Sequence, residues 1–222
     1  MTIRHALIFA AGRGERMRPL TDATPKPLLR VGGKMLIERH LEKLGAAGVE
    51  HVVINTSHLA EQFPVALGDG GRWGLRIDYS YEGPTPFETG GGIRHALPLL
   101  GTAPFIVVSA DIVSDYDYSR LPADPDGLAH LVMVPNPDFH PRGDFCLSGS
   151  RLDEDGVGER LTFGNIGVYR AELVCDETAT RFKLLPIYQR AMRDGKLSGE
   201  RYDGFWRNIG TPAQLEALKG IL

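Results

Sequence analysis

The chain has 222 residues, of which 42% are apolar and 24% are charged. These are ordinary values for a globular protein with a substantial core, and they exclude a disordered or fibrous chain. The formal net charge of −3 excludes the broad basic surface of a nucleic-acid-binding protein, so an anionic substrate must be held by locally placed cations.

The cysteine content and the lengths of the apolar runs indicate the cellular compartment of the protein. Cys146 and Cys175 are too few for a disulfide framework, have no metal-ligand spacing and are expected to be reduced thiols. Residues 1–4 lead directly into the first predicted strand, which leaves no room for a signal peptide. No apolar run approaches the roughly 20 residues of a membrane span. We therefore expect a soluble, cytoplasmic protein that binds neither nucleic acid nor membrane.

The opening stretch predicts a strand followed by a phosphate-binding turn. An apolar run at residues 5–10 precedes Gly12 and Gly14, and glycines let backbone N–H groups converge on phosphate oxygens. Arg16 and Lys26 supply the cations that a triphosphate needs. The candidate nucleotide-binding residues of this stretch are Ala10, Ala11, Gly12, Gly14, Arg16 and Lys26.

Other interpretations of this turn are weaker. A dinucleotide-binding fingerprint wants a third glycine where Met17 stands, and an acidic residue about twenty positions later after a second strand. This disfavours a nicotinamide-dependent oxidoreductase. A Walker loop needs Gly-Lys-Ser/Thr, which is not present. An ordinary strand-to-helix turn with solvated arginines remains the alternative for an isolated G-x-G.

The first half of the chain alternates predicted strands and helices. Helical spacing of apolar residues predicts a helix over residues 35–48, and a second helix over 59–67 has Pro64 near its start. Strands are predicted at residues 51–55 and 75–79. The pattern is β-α-β-α-β, which is typical of a parallel, doubly wound sheet.

A glycine-rich helix start and a buried strand complete this half. Residues 88–92 open a helix that runs to Leu100, and the apolar strand at residues 105–109 ends in Ala110 and Asp111. The carboxyl ends of parallel strands share one edge of a sheet. The opening turn, residues 88–92 and Asp111 are therefore expected to meet there.

The second half is predicted to extend the same sheet as a small lobe. Strands are expected at residues 128–134 and 161–169, helices at 184–192 and from Pro212, an exposed hairpin or lobe excursion at 148–160, and a last short element at 206–210. No linker, repeat or low-complexity tract interrupts the chain. We expect one domain over residues 1–222, with a nucleotide-binding part of about 1–111 and a sugar-binding part of about 112–222.

The string AAGRGERMRPLT, followed by TPKPLL, resembles the signature of the sugar-phosphate nucleotidyltransferases. The resemblance implies a Rossmann-like α/β fold, a mostly parallel mixed sheet flanked by helices. It also implies a nucleoside triphosphate and a sugar-1-phosphate as substrates, with Arg16, Lys26 and Asp111 in catalysis. No acyltransferase or oligomerising extension is recognisable, so a monomer or weak dimer is expected.

The resemblance also implies a Mg²⁺ site. By position alone, Asp111 has the alternative role of capping the next turn, whereas the family places a magnesium-binding aspartate at the end of this strand. A second aspartate in the family stands in a tryptophan-x-aspartate motif, where this chain has Asn208. An amide oxygen still binds Mg²⁺ but removes one negative charge. Asp111 and Asn208 are the predicted metal ligands.

The remaining site residues also follow from the resemblance. The triple glycine at positions 90–92 is alternatively a flexible helix start, while the family uses such a segment for the nucleotide base and sugar. The additional nucleotide-binding candidates are Glu82, Gly90, Gly91 and Asp111. The sugar-phosphate-binding candidates are Lys26, Glu88, Thr89, Gly143, Asp144 and Asn165. The glutamate-lysine-proline segment of many members is missing between residues 148 and 162.

Specificity is expected to follow from local strings elsewhere in the chain. FETGGGI, NPDFHPRGDF, FKLLPIYQRAM and GKLSGERY are similar to those of family members that use UTP in peptidoglycan recycling. The alternatives are a mannose- or glucose-1-phosphate nucleotidyltransferase using GTP, dTTP or UTP, and a non-catalytic nucleotide- or sugar-phosphate-binding protein.

Overall fold

The central feature of the fold is one sheet of nine strands, seen in a computed structural model that describes residues 2–221. The strands are β1 (His5–Phe9), β2 (Arg30–Val31), β3 (Lys34–Met35), β4 (His51–Thr56), β5 (Arg76–Tyr81), β6 (Phe105–Ser109), β7 (Ile112–Ser114), β8 (Ala129–Val134), β9 (Phe145–Ser148), β10 (Arg151–Asp153), β11 (Glu159–Tyr169), β12 (Leu197–Arg201) and β13 (Trp206–Asn208). The helices are α1 (Leu20–Ala23), α2 (Leu36–Ala46), α3 (Gln62–Leu67), α4 (Glu88–Leu100), α5 (Leu184–Arg193) and α6 (Pro212–Lys219).

The strand order is β5-β4-β1-β6-β11-β8-β12-β10-β9. Strands β5, β4, β1 and β6 are parallel, whereas β11 runs antiparallel to both β6 and β8. The predicted mixed α/β sheet is therefore confirmed. In the second half of the chain β12 also runs parallel to β8, whereas β9, β10 and β11 pair with their neighbours antiparallel. Two small two-stranded sheets, β2–β3 and β7–β13, lie beside the main one.

Helices cover both faces of the parallel strands. On one face, Leu41 of α2 and Phe63 of α3 pack with Ile8 of β1. On the other face, Ile93 of α4 and Ile187 of α5 pack with Leu7 of β1. Alternate residues of β1 thus enter opposite cores, which explains why the strand reads as a continuous apolar run. In the part of the chain that the structure covers, no helix is long and apolar enough to cross a membrane.

The predicted helices are present: α2 and α3 have shorter bounds than predicted, α4 has the predicted bounds and α5 is one residue longer. The predicted helix at residues 35–48 is α2, and Met35 precedes it in an extended conformation. The second begins at Gln62, which places Pro64 in its first turn as expected. The predicted hairpin at residues 148–160 corresponds to β9 and β10, whose first strand also pairs with β11.

A third apolar cluster joins the opening loop to the C-terminal helix. Met17 is fully buried there, together with Val113 of β7 and Leu215 of α6. Residues just downstream of the predicted phosphate turn are thereby fixed against the segment that carries Asn208. The opening loop and the C-terminal helix therefore pack together beside the carboxyl edge of the sheet.

Candidate active site

A cleft of about 510 Å³ opens at the carboxyl ends of β1, β4 and β6. We call it the large cavity. Its lining includes Ala10, Ala11 and Gly12 after β1, Asn55 on β4, and Asp111 after β6. This is the edge at which parallel α/β sheets bind ligands. The opening loop and Asp111 therefore converge as predicted.

A second cavity of about 300 Å³ adjoins the first, and we call it the small cavity. The two share Phe9, Thr89 and Ser109 in their linings. The small cavity extends over the α4 and α5 face of the sheet, between β11 and α5. The site thus offers two neighbouring compartments, as a reaction between two substrates requires.

The two glycines of the opening loop have different reasons to be glycine. Gly14 has a φ of +63°, and a Cβ there would lie 3.0 Å from Thr21 Cγ2 and 3.3 Å from Lys26 Cβ. The Thr21 hydroxyl donates a hydrogen bond to the Gly14 carbonyl at 2.9 Å. A Cβ on Gly12 would meet no atom within 4 Å. Gly14 therefore forms the turn, and Gly12 leaves backbone open to the large cavity.

Lys26 and Asp111, which are 85 residues apart in the chain, form an ion pair in the cleft. Lys26 Nζ lies 2.5 Å from Asp111 Oδ2, and the two side chains are 14% and 24% exposed. Partial burial strengthens such a pair relative to one on the surface. One cation and one carboxylate, both needed by the predicted chemistry, are thus placed side by side.

A buried hydrogen-bonded chain supports the floor of the large cavity. The Ala10 N–H donates to Asn55 Oδ1 at 2.6 Å, and Asn55 Nδ2 donates to Glu82 Oε1 at 2.7 Å. The other Glu82 oxygen accepts from the Phe87 N–H at 2.6 Å. Burial raises the pKa of Glu82. The Ala10 amide is therefore already hydrogen-bonded. Glu82, a predicted nucleotide-binding residue, stabilises the opening loop through Asn55.

The structure distributes the arginines of the opening loop differently from the prediction. Arg13 lines the large cavity and donates to the Pro84 carbonyl at 3.1 Å. Arg16 lies against the loop after β13, where a Cβ on Gly210 would be 3.2 Å from Arg16 Nη2. Arg16 is outside the lining of the large cavity, and its phosphate contact stays a prediction.

Asn208 is brought next to the strand segment that follows Asp111. It pairs with Ile112 in the β7–β13 ladder, and the Ile209 N–H donates to the Asp111 carbonyl at 2.8 Å. Asn208 Oδ1 is buried without a hydrogen-bond partner in residues 2–221. A buried oxygen of this kind is costly unless something binds it.

The side chain of Asn208 lines a separate cavity beside Trp206 rather than the large cavity. Within residues 2–221, no group of three or more histidine, cysteine or acidic side chains is arranged to hold a metal. A carboxylate and an orphaned amide oxygen are donors that Mg²⁺ accepts together with phosphate oxygens and water, but in this structure the two residues line different cavities and Asp111 Oδ2 is paired with Lys26.

The triple glycine at the start of α4 has a packing explanation. The N–H groups of Gly90 and Gly91 both donate to the Phe182 carbonyl, at 3.0 and 3.1 Å. A Cβ on Gly90 would lie 2.4 Å from the Phe182 ring, and one on Gly91 would lie 2.3 Å from the Thr180 carbonyl oxygen. These amides already have an acceptor and are therefore not free to bind a ligand in this structure. Their nucleotide contact stays a prediction.

Glu88 and Thr89, the residues just before these glycines, do line the large cavity. Glu88 has a φ of +64° and accepts a hydrogen bond from Arg181 at 3.1 Å. The Thr89 hydroxyl accepts from the Leu184 N–H at 3.0 Å, at the start of α5. Both predicted sugar-phosphate-binding residues are therefore at the site, and Thr89 faces both cavities.

Two of the other sugar candidates, Asp144 and Asn165, line the small cavity. The Asp144 carboxylate is held by His140 Nε2 at 3.0 Å and by the Phe163 N–H at 2.8 Å. Asn165 has a φ of +56° at an irregularity in β11. Gly143 is not in this lining; its φ is +60°, and a Cβ there would lie 2.5 Å from Asn136 Oδ1. The structure therefore gives Gly143 a turn-forming role.

Several lining residues escape the motif-based prediction. Asn55 stands at the end of a predicted strand, so the rule that ligands bind at the carboxyl ends of strands could have found it. Arg181 lies in a segment without a motif and reaches the large cavity through contacts made by neighbouring residues. The other residues of the large cavity that were missed are Phe9, Arg13, Glu15, Pro27, Thr85, Pro86, Ser109 and Ala110.

Comparison with known proteins identifies the family of the chain. The family model described as nucleotidyl transferase matches residues 5–134, and the chain belongs to this family. N-acetylmuramate alpha-1-phosphate uridylyltransferase of Neisseria meningitidis is 44% identical over 225 residues, covering 97% of each chain. The protein of the same name from Caulobacter vibrioides is 35% identical and covers 93% of this chain and 92% of its own.

Similarity also extends to a guanylyltransferase and to solved structures of low sequence identity. Mannose-1-phosphate guanylyltransferase of Mycobacterium tuberculosis is 37% identical; the match covers 93% of this chain and 61% of that protein. A putative glucose-1-phosphate thymidylyltransferase from Bacillus anthracis has a TM-score of 0.83 at 18% identity, with 99% and 95% of the two chains covered. HddC from Yersinia pseudotuberculosis, solved in complex with GMP-PN, has a TM-score of 0.78 at 20% identity and 99% coverage of both chains. These two structures confirm the fold.

Proposed function

We propose that the protein transfers a uridylyl group from UTP to N-acetylmuramate α-1-phosphate, giving UDP-N-acetylmuramate and pyrophosphate. The proposal is supported by the relatives of that name at 44% and 35% identity, which align with nearly the whole chain. The structural observation that carries it is the Lys26–Asp111 pair in a cleft that adjoins a second cavity. The string similarities already point to UTP as the nucleotide.

The chemistry needs no covalent intermediate. An oxygen of the sugar phosphate attacks the α-phosphorus of UTP, a new P–O bond forms, and the bond to the β-phosphate breaks to release pyrophosphate. A phosphate monoester is already anionic at neutral pH, because its second pKa is about 6. No general base is therefore required, and the protein's contribution is alignment and charge neutralisation.

The residues divide this work between the two cavities. The Gly12 and Gly14 amides, with Arg16, hold the β- and γ-phosphates, and Lys26 neutralises the α-phosphate and the incoming phosphate. Asp144 and Asn165 bind sugar hydroxyls in the small cavity. Its apolar walls, which include Phe163 and Tyr188, suit the methyl group of an N-acetyl substituent.

A Mg²⁺ ion belongs to the proposal. Asp111 and Asn208 would hold it, and the bound ion would neutralise phosphate charge. The orphaned Asn208 Oδ1 is the observation that supports the second ligand. Asn208→Asp restores a charge, so it is expected to lower the Mg²⁺ concentration needed for half-maximal activity. An unchanged requirement would argue that position 208 is not a ligand.

The setting of the reaction is part of the same proposal. A product that joins UDP to a peptidoglycan sugar acid places the protein in cell-wall recycling, in the cytoplasm where UTP is made. We propose one catalytic domain, with its nucleotide part at about residues 1–111 and its sugar part at about 112–222. It binds no nucleic acid or membrane and acts as a monomer or weak dimer.

The direct test is product analysis with UTP and N-acetylmuramate α-1-phosphate, with and without Mg²⁺. We expect UDP-sugar and pyrophosphate in equal amounts, with Mg²⁺ required. The second candidate is a non-catalytic binding protein, which the asparagine at position 208 favours. Tight UTP binding without pyrophosphate at any Mg²⁺ concentration would support that candidate and refute transfer.

A further inference from the structure

We propose that Arg181 recognises the lactyl carboxylate of N-acetylmuramate and selects this sugar over sugars that lack the lactyl group. The inference rests on the proposed function, because that function supplies a sugar with a carboxylate of its own. This carboxylate is an anion additional to the phosphates. It therefore needs a cation that phosphate binding does not occupy.

The cations near the two cavities are few. In the described part of the chain, the lysines and arginines that line the large cavity are Arg13, Lys26 and Arg181, and the small cavity is lined by none. The small cavity has the Asp144 carboxylate and no cation to offset it, whereas the large cavity sets these three cations against its own carboxylates, Glu15, Glu82, Glu88 and Asp111. The lactyl carboxylate is therefore expected to turn toward the border with the large cavity.

Arg181 is the lining cation that is attached to this border, where it pairs with the Glu88 carboxylate. Lys26 is paired with Asp111 at 2.5 Å, and Arg13 is bonded to Pro84, which lies outside the lining of the small cavity. Arg181 instead contacts Glu88, next in the chain to Thr89, which lines both cavities. Of the three cations, Arg181 is therefore the one that contacts a neighbour of Thr89, which lines both cavities.

The backbone around Arg181 is held firmly on α4. The Phe182 carbonyl accepts from Gly90 and Gly91, the Phe182 N–H donates to the Phe87 carbonyl at 3.2 Å, and the Leu184 N–H donates to Thr89 Oγ1. Any side chain at position 90 or 91 would collide with this segment. The segment therefore presents Arg181 at a fixed place on the rim.

Glu88 orients the guanidinium without saturating it. A φ of +64° is uncommon outside glycine, and it places the Glu88 carboxylate 3.1 Å from Arg181 Nη2. A guanidinium has several N–H donors in a planar fork, and in the described structure this side chain uses only Nη2. The remaining donors suit the bidentate geometry of a second carboxylate.

The test compares UDP-N-acetylmuramate with UDP-N-acetylglucosamine, which differ by the lactyl ether, in binding measured by calorimetry. Arg181→Gln is expected to weaken binding of the first by about ten- to hundredfold and to leave the second unchanged. Arg181→Lys, which keeps the charge but loses the fork, should fall between. Arg94→Gln is the matched control, because Arg94 donates to Thr178 and Ala179 in the same segment but lies outside the cavity lining.

Equal weakening of both UDP-sugars would show that Arg181 binds a shared part of the ligand, and no weakening would show that it binds neither; each result overturns the inference. A loss of the same selectivity in Arg94→Gln would trace the effect to the segment and also overturn it. If these results occur while the wild-type protein still converts UTP and N-acetylmuramate α-1-phosphate, the proposed function stands alone. A wild-type protein that does not perform that conversion refutes both.

Discussion

Lys26 is the residue on which the proposed transfer depends most directly. Its ammonium is the cation in the cleft that is paired with Asp111, so Lys26→Ala removes charge from the point where the two substrates meet. Electrostatic groups of this kind contribute about 3–4 kcal/mol, so turnover should fall by about a hundredfold or more. Steady-state pyrophosphate release measures it. Lys34→Ala, which breaks an exposed pair with Glu42, is the control and should be neutral, and near-normal turnover in Lys26→Ala would remove Lys26 from the mechanism.

Substitution by alanine is predicted to have different effects at Gly12 and Gly14, on nucleotide affinity at the first and on stability at the second. Gly12→Ala adds a Cβ in open space, so its free energy of unfolding should stay within about 0.5 kcal/mol while UTP affinity falls. Gly14→Ala forces a φ of +63° on a residue with a Cβ and should destabilise the fold by about 1–2 kcal/mol. Urea unfolding and UTP titration separate the two effects. Unchanged UTP affinity in Gly12→Ala would mean that the nucleotide does not approach this backbone.

His40 makes a pH-dependent contribution to stability. It is buried against the Tyr118 hydroxyl at 2.7 Å, and burial, with repulsion from Lys43, lowers its pKa from 6.5 to about 4. The unfolded chain therefore binds more protons than the folded one between these values. The free energy of unfolding should fall as the pH drops through this window, by up to about 1.4 kcal/mol per pH unit from this group.

Urea unfolding across that window tests the contribution of His40. His40→Gln should flatten the slope, whereas His95→Gln, at an exposed position, should leave it unchanged. A slope that is the same in wild type and His40→Gln would assign the acid sensitivity to other groups.

At the scale of elements, the start of α4 reverses the usual rule for glycine in helices. Alanine normally stabilises a helix by about 1 kcal/mol relative to glycine. Gly91→Ala should instead destabilise the protein by about 1–3 kcal/mol, because its Cβ would lie 2.3 Å from the Thr180 carbonyl oxygen. Denaturant unfolding measures the sign, and a more stable Gly91→Ala protein would contradict the packing role.

The elements that the sequence predicts well are those with local signals. β1, β4 and β6 are continuous apolar runs, and α2 carries apolar residues at helical spacing, so each is recognisable within its own window. β7 and β13 have three residues each and exist because they pair across more than ninety residues of chain, which no local pattern contains. The change from parallel to antiparallel pairing at β11 also depends on contacts between segments that are distant in the sequence.

At the scale of the whole molecule, the site is partly predictable for the same reason. The meeting of the opening loop with Asp111 follows from the parallel strand order, because both lie at strand carboxyl ends. The position of Arg181 in the cavity lining does not follow from the strand order, because backbone hydrogen bonds of the next residue, Phe182, bring it to the cleft. Sequence patterns thus indicate lining residues at strand ends better than lining residues that are held in place by the contacts of neighbouring segments.

In the proposed function, the two cavities together accept UTP and N-acetylmuramate α-1-phosphate. A matrix of nucleoside triphosphates against sugar-1-phosphates tests this pairing, with kcat/KM measured by pyrophosphate release in the presence of Mg²⁺. We predict that this pair gives the highest kcat/KM. A higher value for GTP with mannose-1-phosphate, the pair named by the guanylyltransferase relatives, or no release from any pair would contradict the account.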